Sequence, residues 1–266
     1  MAISKFIPEV WSARLLEGLK KNLVFGSLCN RAYEGDITQY GDTVHIQSLA
    51  DITVRPYNAG EDLAEPEQLD GEDRTLTIDH AVYYNFFLSD VDAAQARADL
   101  MDAAMANAAR RLAEDTESYL LGVIRAGAGT TAEASGTDIY AQIVTMKTAL
   151  DSKHVPRQGR KLIVPPAVES SLLLDNRFVV GTNAADARLA EGAVARAAGF
   201  DIYISADLDG EMIAMTEDAV TFASQVVRTE AYRREKGFDD GVKGLHVCGA
   251  RVIQPDCLYR MTLTEA

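Results

Sequence analysis

Between Gly41 and Ala126 the chain passes from two polar, strand-like stretches straight into one long alanine-rich helix. This order restricts the fold more than any short motif does. The strand-like stretches are Thr43–Arg55 and Thr75–Leu88. In the first, Val44, Ile46, Ser48 and Val54 alternate imperfectly with Thr43, His45, Gln47 and Arg55; the second ends in Val82-Tyr83-Tyr84-Asn85-Phe86-Phe87-Leu88, rich in residues that favour strands. Between them lies an acidic segment with Glu61, Asp62, Leu63, Glu65, Glu67, Leu69, Asp70, Glu72 and Asp73, punctuated by Gly60, Pro66 and Gly71. Two lone strands with such a tip are marginal in water. The expectation is an arm that one subunit cannot bury and that a neighbouring copy holds, so the chain reads as a building block.

From Val91 to Ala126 there is no proline, and Gly122 is the single glycine. Ser89 or Asp90 can cap this helix, with Asp92 complementing its dipole. Leu100, Met101, Met105, Ala108, Leu112, Tyr119, Leu120, Val123 and Ile124 fall on one stripe, whereas Asp99, Asp102, Arg110, Arg111, Glu114 and Glu117 mostly fall elsewhere. At 1.5 Å per residue the helix would be about 50 Å long. The sequence Gly127-Ala128-Gly129 reads as its flexible stop, opening a small-residue loop that runs to Gly136. Ahead of the arm, Trp11, Leu15, Leu16, Leu19 and Leu23 recur at helical spacing, and Trp11 is the best anchor of this N-terminal arm.

Downstream the pattern is mixed. Asp138 caps a short amphipathic helix carrying Ile139, Ile143, Val144, Met146, Ala149 and Leu150. Lys161–Val164 reads as a buried strand stopped by Pro165-Pro166, and Ala167–Leu174 as the helix that this double proline starts. Further strands are expected at Asp201–Ser205, Glu211–Thr216, Ala219–Phe222, Val226–Arg234, Val242–Gln254 and Leu258–Leu263.

Composition narrows the function. The 266 residues suffice for one large or two small domains, and 47% hydrophobic content supplies a core. A net charge of −14 and a pI near 4.7 argue against general nucleic-acid binding. Three cysteines, Cys29, Cys248 and Cys257, imply no disulfide framework and point to a reducing compartment. The first ten residues do not read as a signal peptide, and no stretch is apolar for long enough to span a bilayer. There is no phosphate-binding loop and no nucleophile elbow. His246 and Cys248 share a strand face with Cys257 nearby in sequence, but a zinc site needs tighter ligand pairs and a fourth ligand. His45 and His80 read as polar strand residues, and the acids around Asp239-Asp240 and Glu61–Asp73 as solvated turns. No catalytic residue, cofactor or metal ligand is therefore assigned.

The order of elements resembles that of the major capsid (coat) proteins of tailed bacteriophages, whose α+β shell fold is the Hong Kong ninety-seven phage type. Local stretches carry the resemblance: Ser89-Asp90-Val91-Asp92-Ala93-Ala94-Gln95, Leu150 to Pro166, Gly199-Phe200-Asp201-Ile202-Tyr203-Ile204-Ser205, and Cys248-Gly249-Ala250-Arg251-Val252-Ile253-Gln254-Pro255. It implies an N-terminal arm (1–40), an extended β-hairpin loop (41–88), a spine helix of the peripheral domain (89–126), an axial domain (127–225), peripheral strands (226–258) and a C-terminal return to the axial domain (259–266). It implies a subunit that self-assembles, as hexamers and pentamers, into the icosahedral head of a double-stranded DNA phage. The acidic loop would then reach basic groups on the next subunit, with Arg110, Arg111, Arg228, Arg233, Arg234 and Lys236 as candidates. Some members of the fold cross-link through a loop lysine, but there is none here between Asp36 and Asp90. The resemblance further implies a separate scaffolding protein with no trimming of the coat, a portal protein, room for a decoration protein, packaged DNA bound without sequence specificity, no membrane, and assembly in the host cytoplasm. An encapsulin-like compartment shell is a same-fold alternative. A soluble α/β enzyme with a site edge at Val164-Pro165-Pro166 is a different-class one.

Overall fold

The computed structural model describes residues 15, 23–34, 39–49, 53–54, 56, 71–89, 100–135, 138–175, 196–233 and 239–264. Trp11, the acidic segment from Glu61 to Asp70, the start of the predicted long helix, Arg234 and Lys236 lie outside them. Three separate sheets organise the described residues. Strands β1 (Thr43–Leu49) and β2 (Gly71–Thr77) form an antiparallel ladder of their own, in register from Thr43↔Thr77 to Leu49↔Gly71. Strands β3 (His80–Ser89), β9 (Val220–Arg233) and β10 (Asp239–Val252) form an antiparallel sheet in the order β3-β10-β9. The third sheet is mixed and six-stranded, in the order β4-β11-β8-β5-β7-β6. Its strands are β4 (Thr130–Ser135), β5 (Lys161–Val164), β6 (Arg196–Ala197), β7 (Phe200–Ile204), β8 (Glu211–Met215) and β11 (Leu258–Thr264).

Among the described residues the sheets are joined by four α-helices: α1 (Phe25–Leu28), α2 (Leu100–Gly127), α3 (Ile139–Ser152) and α4 (Pro166–Leu174). The long helix α2 joins two cores because its buried stripe continues along its length. Met105, Ala109, Leu112 and Ala113 pack with Leu15, Leu23 and Val242, against Val82, Tyr84 and Phe86 of β3. Leu120, Leu121 and Ile124 belong to the larger core, with Ile143 and Met146 of α3, Val168 and Leu172 of α4, and the buried six-stranded sheet. Leu15 and Leu23 thus confirm the expected apolar face of the N-terminal arm at the two positions described. The cap on α3 is as expected: the Asp138 side chain accepts a hydrogen bond from the Ala141 amide at 3.1 Å. So is the double-proline start of α4.

Three readings of the sequence are corrected. Thr75–Leu88 is not one strand of the arm. The ladder with β1 stops at Thr77, the chain steps aside at Ile78 and Asp79, and β3 then pairs with β10 in a different sheet. The strand pattern is continuous across the step because each piece has one buried face. Gly127–Gly136 is not a loop. Its second half is β4, running parallel to the C-terminal strand β11, a pairing that a local reading cannot supply. Gly127 and Gly129 are not a flexible stop either. A Cβ on Gly127 would sit 2.3 Å from Val252 Cγ2, and one on Gly129 would sit 2.3 Å from the Pro255 carbonyl oxygen. Both glycines exist for close approach to residues 252–255. Gly129→Ala is expected to cost ~1–3 kcal/mol by overpacking. Gly122→Ala, at an exposed helical position with nothing within 4 Å, is expected to stabilise by ~0.5–1 kcal/mol. Urea melts of the two variants check both signs.

Candidate functional site

The β1–β2 arm is anchored at its root, and the described residues beyond the ladder are exposed. Ile46, Leu76 and Ile78 are buried with Ala223, Val247 and Ile253, so the root finds cover on its own chain, against the expectation that a neighbour must supply all of it. The other face stays open: Thr43, His45, Asp73 and Thr77 are exposed, as are Thr53, Val54 and Pro56 beyond the ladder. The base is closed by two backbone bonds, Gly41 N to Ile78 O at 2.9 Å and Ile78 N to Asp42 O at 3.0 Å. Gly41 has φ +88°, which favours glycine there, and its bond to Ile78 pins this corner of the arm.

Several residues expected to bridge subunits already have partners at home. Asp73 pairs with His45 across the ladder at 2.7 Å, both half or more exposed. Arg110 and Arg111 both reach Glu114 on the same exposed helix face, at 3.7 and 2.7 Å. Exposed pairs of this kind are worth ~0–1 kcal/mol each and exchange partners at little cost. Arg228 and Arg233 lie on β9, opposite Leu245 and Asp240 of β10, and Arg233 is exposed. The outward face of the three-stranded sheet adds apolar surface in Tyr83 and Phe87, next to the Lys243–Glu230 pair at 3.0 Å. At the far end of the six-stranded sheet, Leu174, Tyr203 and Ile204 are exposed where α4 and β7 end.

The charges that hold the subunit together were not evident in the sequence. The helical spacing puts Glu117 off the apolar stripe of α2, yet it is buried and accepts hydrogen bonds from the amides of Phe25 and Gly26 at 2.9 and 3.1 Å. Its spacing of four from Ala113 and three from Leu120, both buried, was the available signal. Burial pushes its carboxyl up to about 7, against the pull of those amides. Glu211 of β8 is buried between Arg125, in the last turn of α2, and Arg260 of β11. Lys161 Nζ donates to the Leu28 carbonyl at 2.9 Å, and Asn30 bonds Val220 and Phe222 on β9, both at 2.9 Å. The segment 24–34 thereby stitches α2, the six-stranded sheet and β9 together. Burial holds the Cys29 and Cys248 thiols up at about 12, so neither is a reactive thiolate near neutral pH. His246 and Cys248 are buried on one strand, while Cys257 packs in the large core. No three metal-ligating side chains converge among the described residues, and no described helix is long and apolar enough to cross a membrane.

Both the sequence and the fold match known proteins. A family model described as phage capsid protein matches residues 77–261. The chain belongs to that phage capsid protein family. The capsid protein is similar along nearly all its length to a solved structure from Mycobacterium phage Che8, at 25% identity and TM-score 0.74, with 90% of each chain covered. It is also similar to the capsid structure of cyanophage P-SCSP1u, at 16% identity and TM-score 0.73, covering 92% of this chain and 89% of that one. A virus-like particle from Pyrococcus furiosus shares the fold at 14% identity and TM-score 0.59, covering 95% and 98%. No curated protein sequence matches the chain significantly. The capsid protein therefore has the Hong Kong ninety-seven phage-type fold, and it is a major capsid protein, a self-assembling subunit of a phage head shell.

Proposed function

We propose that the capsid protein closes an icosahedral head of hexamers and pentamers around double-stranded DNA, and that its β1–β2 arm is the element that links one subunit to the next. The observation that carries this is the arm itself, a separate two-stranded sheet with a buried root and an open face. An isolated ladder of this size needs further apolar cover, and a symmetry mate can provide it. The acidic tip, Glu61 to Asp73, would then meet Arg110 and Arg111 on the helix or Arg228, Arg233, Arg234 and Lys236 near the three-stranded sheet of a neighbour, with Trp11 anchoring the N-terminal arm. Apolar and strand contacts would set shell strength, and charges the register.

In domain terms, residues 41–79 form the extended loop, β3, α2, β9 and β10 the peripheral domain, and the six-stranded sheet with α3 and α4 the axial domain. Exposed Leu174, Tyr203 and Ile204 would face the symmetry axis. A separate scaffolding protein and a portal complete assembly in the host cytoplasm, with room for a decoration protein, and the net charge of −14 favours DNA held by confinement over specific contacts. No catalytic step, cofactor or metal enters this function. Size-exclusion chromatography with negative-stain microscopy of the full-length protein, expressed with its genomic neighbours, is the test. Closed shells with a portal and DNA are expected. Shells carrying an enzyme cargo and no portal would make it an encapsulin-like compartment, and a small oligomer with a ligand-dependent melting shift would replace the shell reading altogether.

A further inference from the structure

The arm meets the body of the subunit at Ile78-Asp79-His80, where β2 gives way to β3. Two bonds from one face of α2 clasp this junction. The Tyr119 hydroxyl donates to Asp79 Oδ1 at 2.6 Å, and His80 Nε2 lies 2.6 Å from Asp115 Oδ2. The His80 ring is stacked on Tyr119, with centroids 4.5 Å apart and planes 12° from parallel. Close to this clasp, on β10, is His246. It is fully buried, and neither ring nitrogen has a hydrogen-bond partner. A buried polar group left unpaired is costly and asks for an explanation.

We propose that His246 makes the root of the arm acid-sensitive: charging its imidazole, fully buried and unpartnered in the seam between α2, β3 and β10, opens the Asp79–His80 clasp and frees the arm from its own subunit. The groups facing His246 leave it no way to keep a charge in place. From β3 comes His80, whose own charge opposes a second one; from α2 comes Asp115, already bonded to His80. Glu34, the other carboxylate near enough to act, is engaged by Arg31 and by Ser224 Oγ. Asp79 is bonded to Tyr119, and Cys248, two residues along the strand, is a buried thiol. The ladder is also irregular here. Between Leu245 and His246 the β9 register slips from Arg228 to Val226. A groove of about 660 Å³, bordered by Asp79, Tyr119 and Ala250, brings solvent up to the clasp.

Burial, followed by the charge of His80, depresses His246 to about 4, below the ordinary value of 6.5. The open form therefore binds more protons than the closed one between these limits. The clasp is at full strength above pH 6.5 and weakens as pH falls toward 4.

Hydrogen exchange of the full-length subunit, corrected for intrinsic rates, tests this at pH 7.5 and 4.5. Protection of residues 74–82 and 242–250 is expected to fall ten- to a hundredfold on acidification, on the order of what the displaced titration supplies. Residues 211–215 of the six-stranded sheet serve as the internal reference. His246→Leu is expected to abolish the selective loss, and His80→Gln, which keeps a hydrogen-bonding group toward Asp115, to make it shallower. A selective loss of the same size in His246→Leu overturns the proposal, as does uniform loss across the wild-type protein. Should His246→Leu fail to fold, a His80→Gln profile identical to wild type overturns it.

Discussion

Replacing residues 50–70 by Asn-Gly is expected to leave a folded, soluble subunit that builds no shells. Leu49 and Gly71 are opposite each other in the β1–β2 ladder, so a two-residue turn joins them without altering register. The buried residues of the arm, Ile46, Leu76 and Ile78, all lie outside the deletion. Thr53, Val54 and Pro56, the described residues within it, are exposed, Val54 at 92%. Nothing described in the core is lost, and a shorter loop costs less closure entropy, so stability should change by less than about 1 kcal/mol. Assembly should fail, because the removed stretch carries both leucines and all of the acids but Glu72 and Asp73 that are proposed to meet the next subunit. Melting curves and particle counts by microscopy separate the two effects. Normal particles from the shortened chain would show that the arm is not the inter-subunit link.

The largest loss of stability is expected from Glu211→Ala. Glu211 is 1% exposed and accepts from Arg125 Nε at 2.5 Å and from Arg260 Nε at 2.6 Å. It thereby ties the end of α2 to β8 and β11, across the join between the helix and the six-stranded sheet. Truncation leaves two guanidinium groups facing each other around a void. Breaking a buried pair costs about 3–5 kcal/mol; both arginines are roughly a third exposed, so water recovers part of this and ~2–4 kcal/mol is expected. Glu211→Gln keeps the shape and an acceptor and should lose clearly less. Urea denaturation of the three proteins checks the order. Equal losses for the two variants would mean that charge alone, with no contribution from shape or a neutral acceptor, holds this joint.

Element type was legible wherever the sequence carried a period with a cap. Asp138 and the double proline at 165–166 announce α3 and α4, because a cap is chemistry between near neighbours. The buried strand Lys161–Val164 was legible from its short apolar run. The candidate site was legible as a region but not as contacts. Asp73, Arg110 and Arg111 appeared free for a neighbour, and in the fold they are paired with His45 and Glu114. The structural charges were hidden because burial of Glu117 and Glu211 depends on amides and arginines far away in sequence, from Phe25 to Arg260.

Local order along the chain determined that this protein has an arm, a long helix and alternating strands, since side-chain period and backbone propensity act within a few residues. Only the tertiary structure decided where the arm ends, which strands share a sheet and which charges are buried. Thr75–Leu88 splits between two sheets, and β4 exists only because β11 arrives beside it from the other end of the chain. Strand pairing is a contact between distant segments, and a period of two residues names the face of a strand without naming its partner.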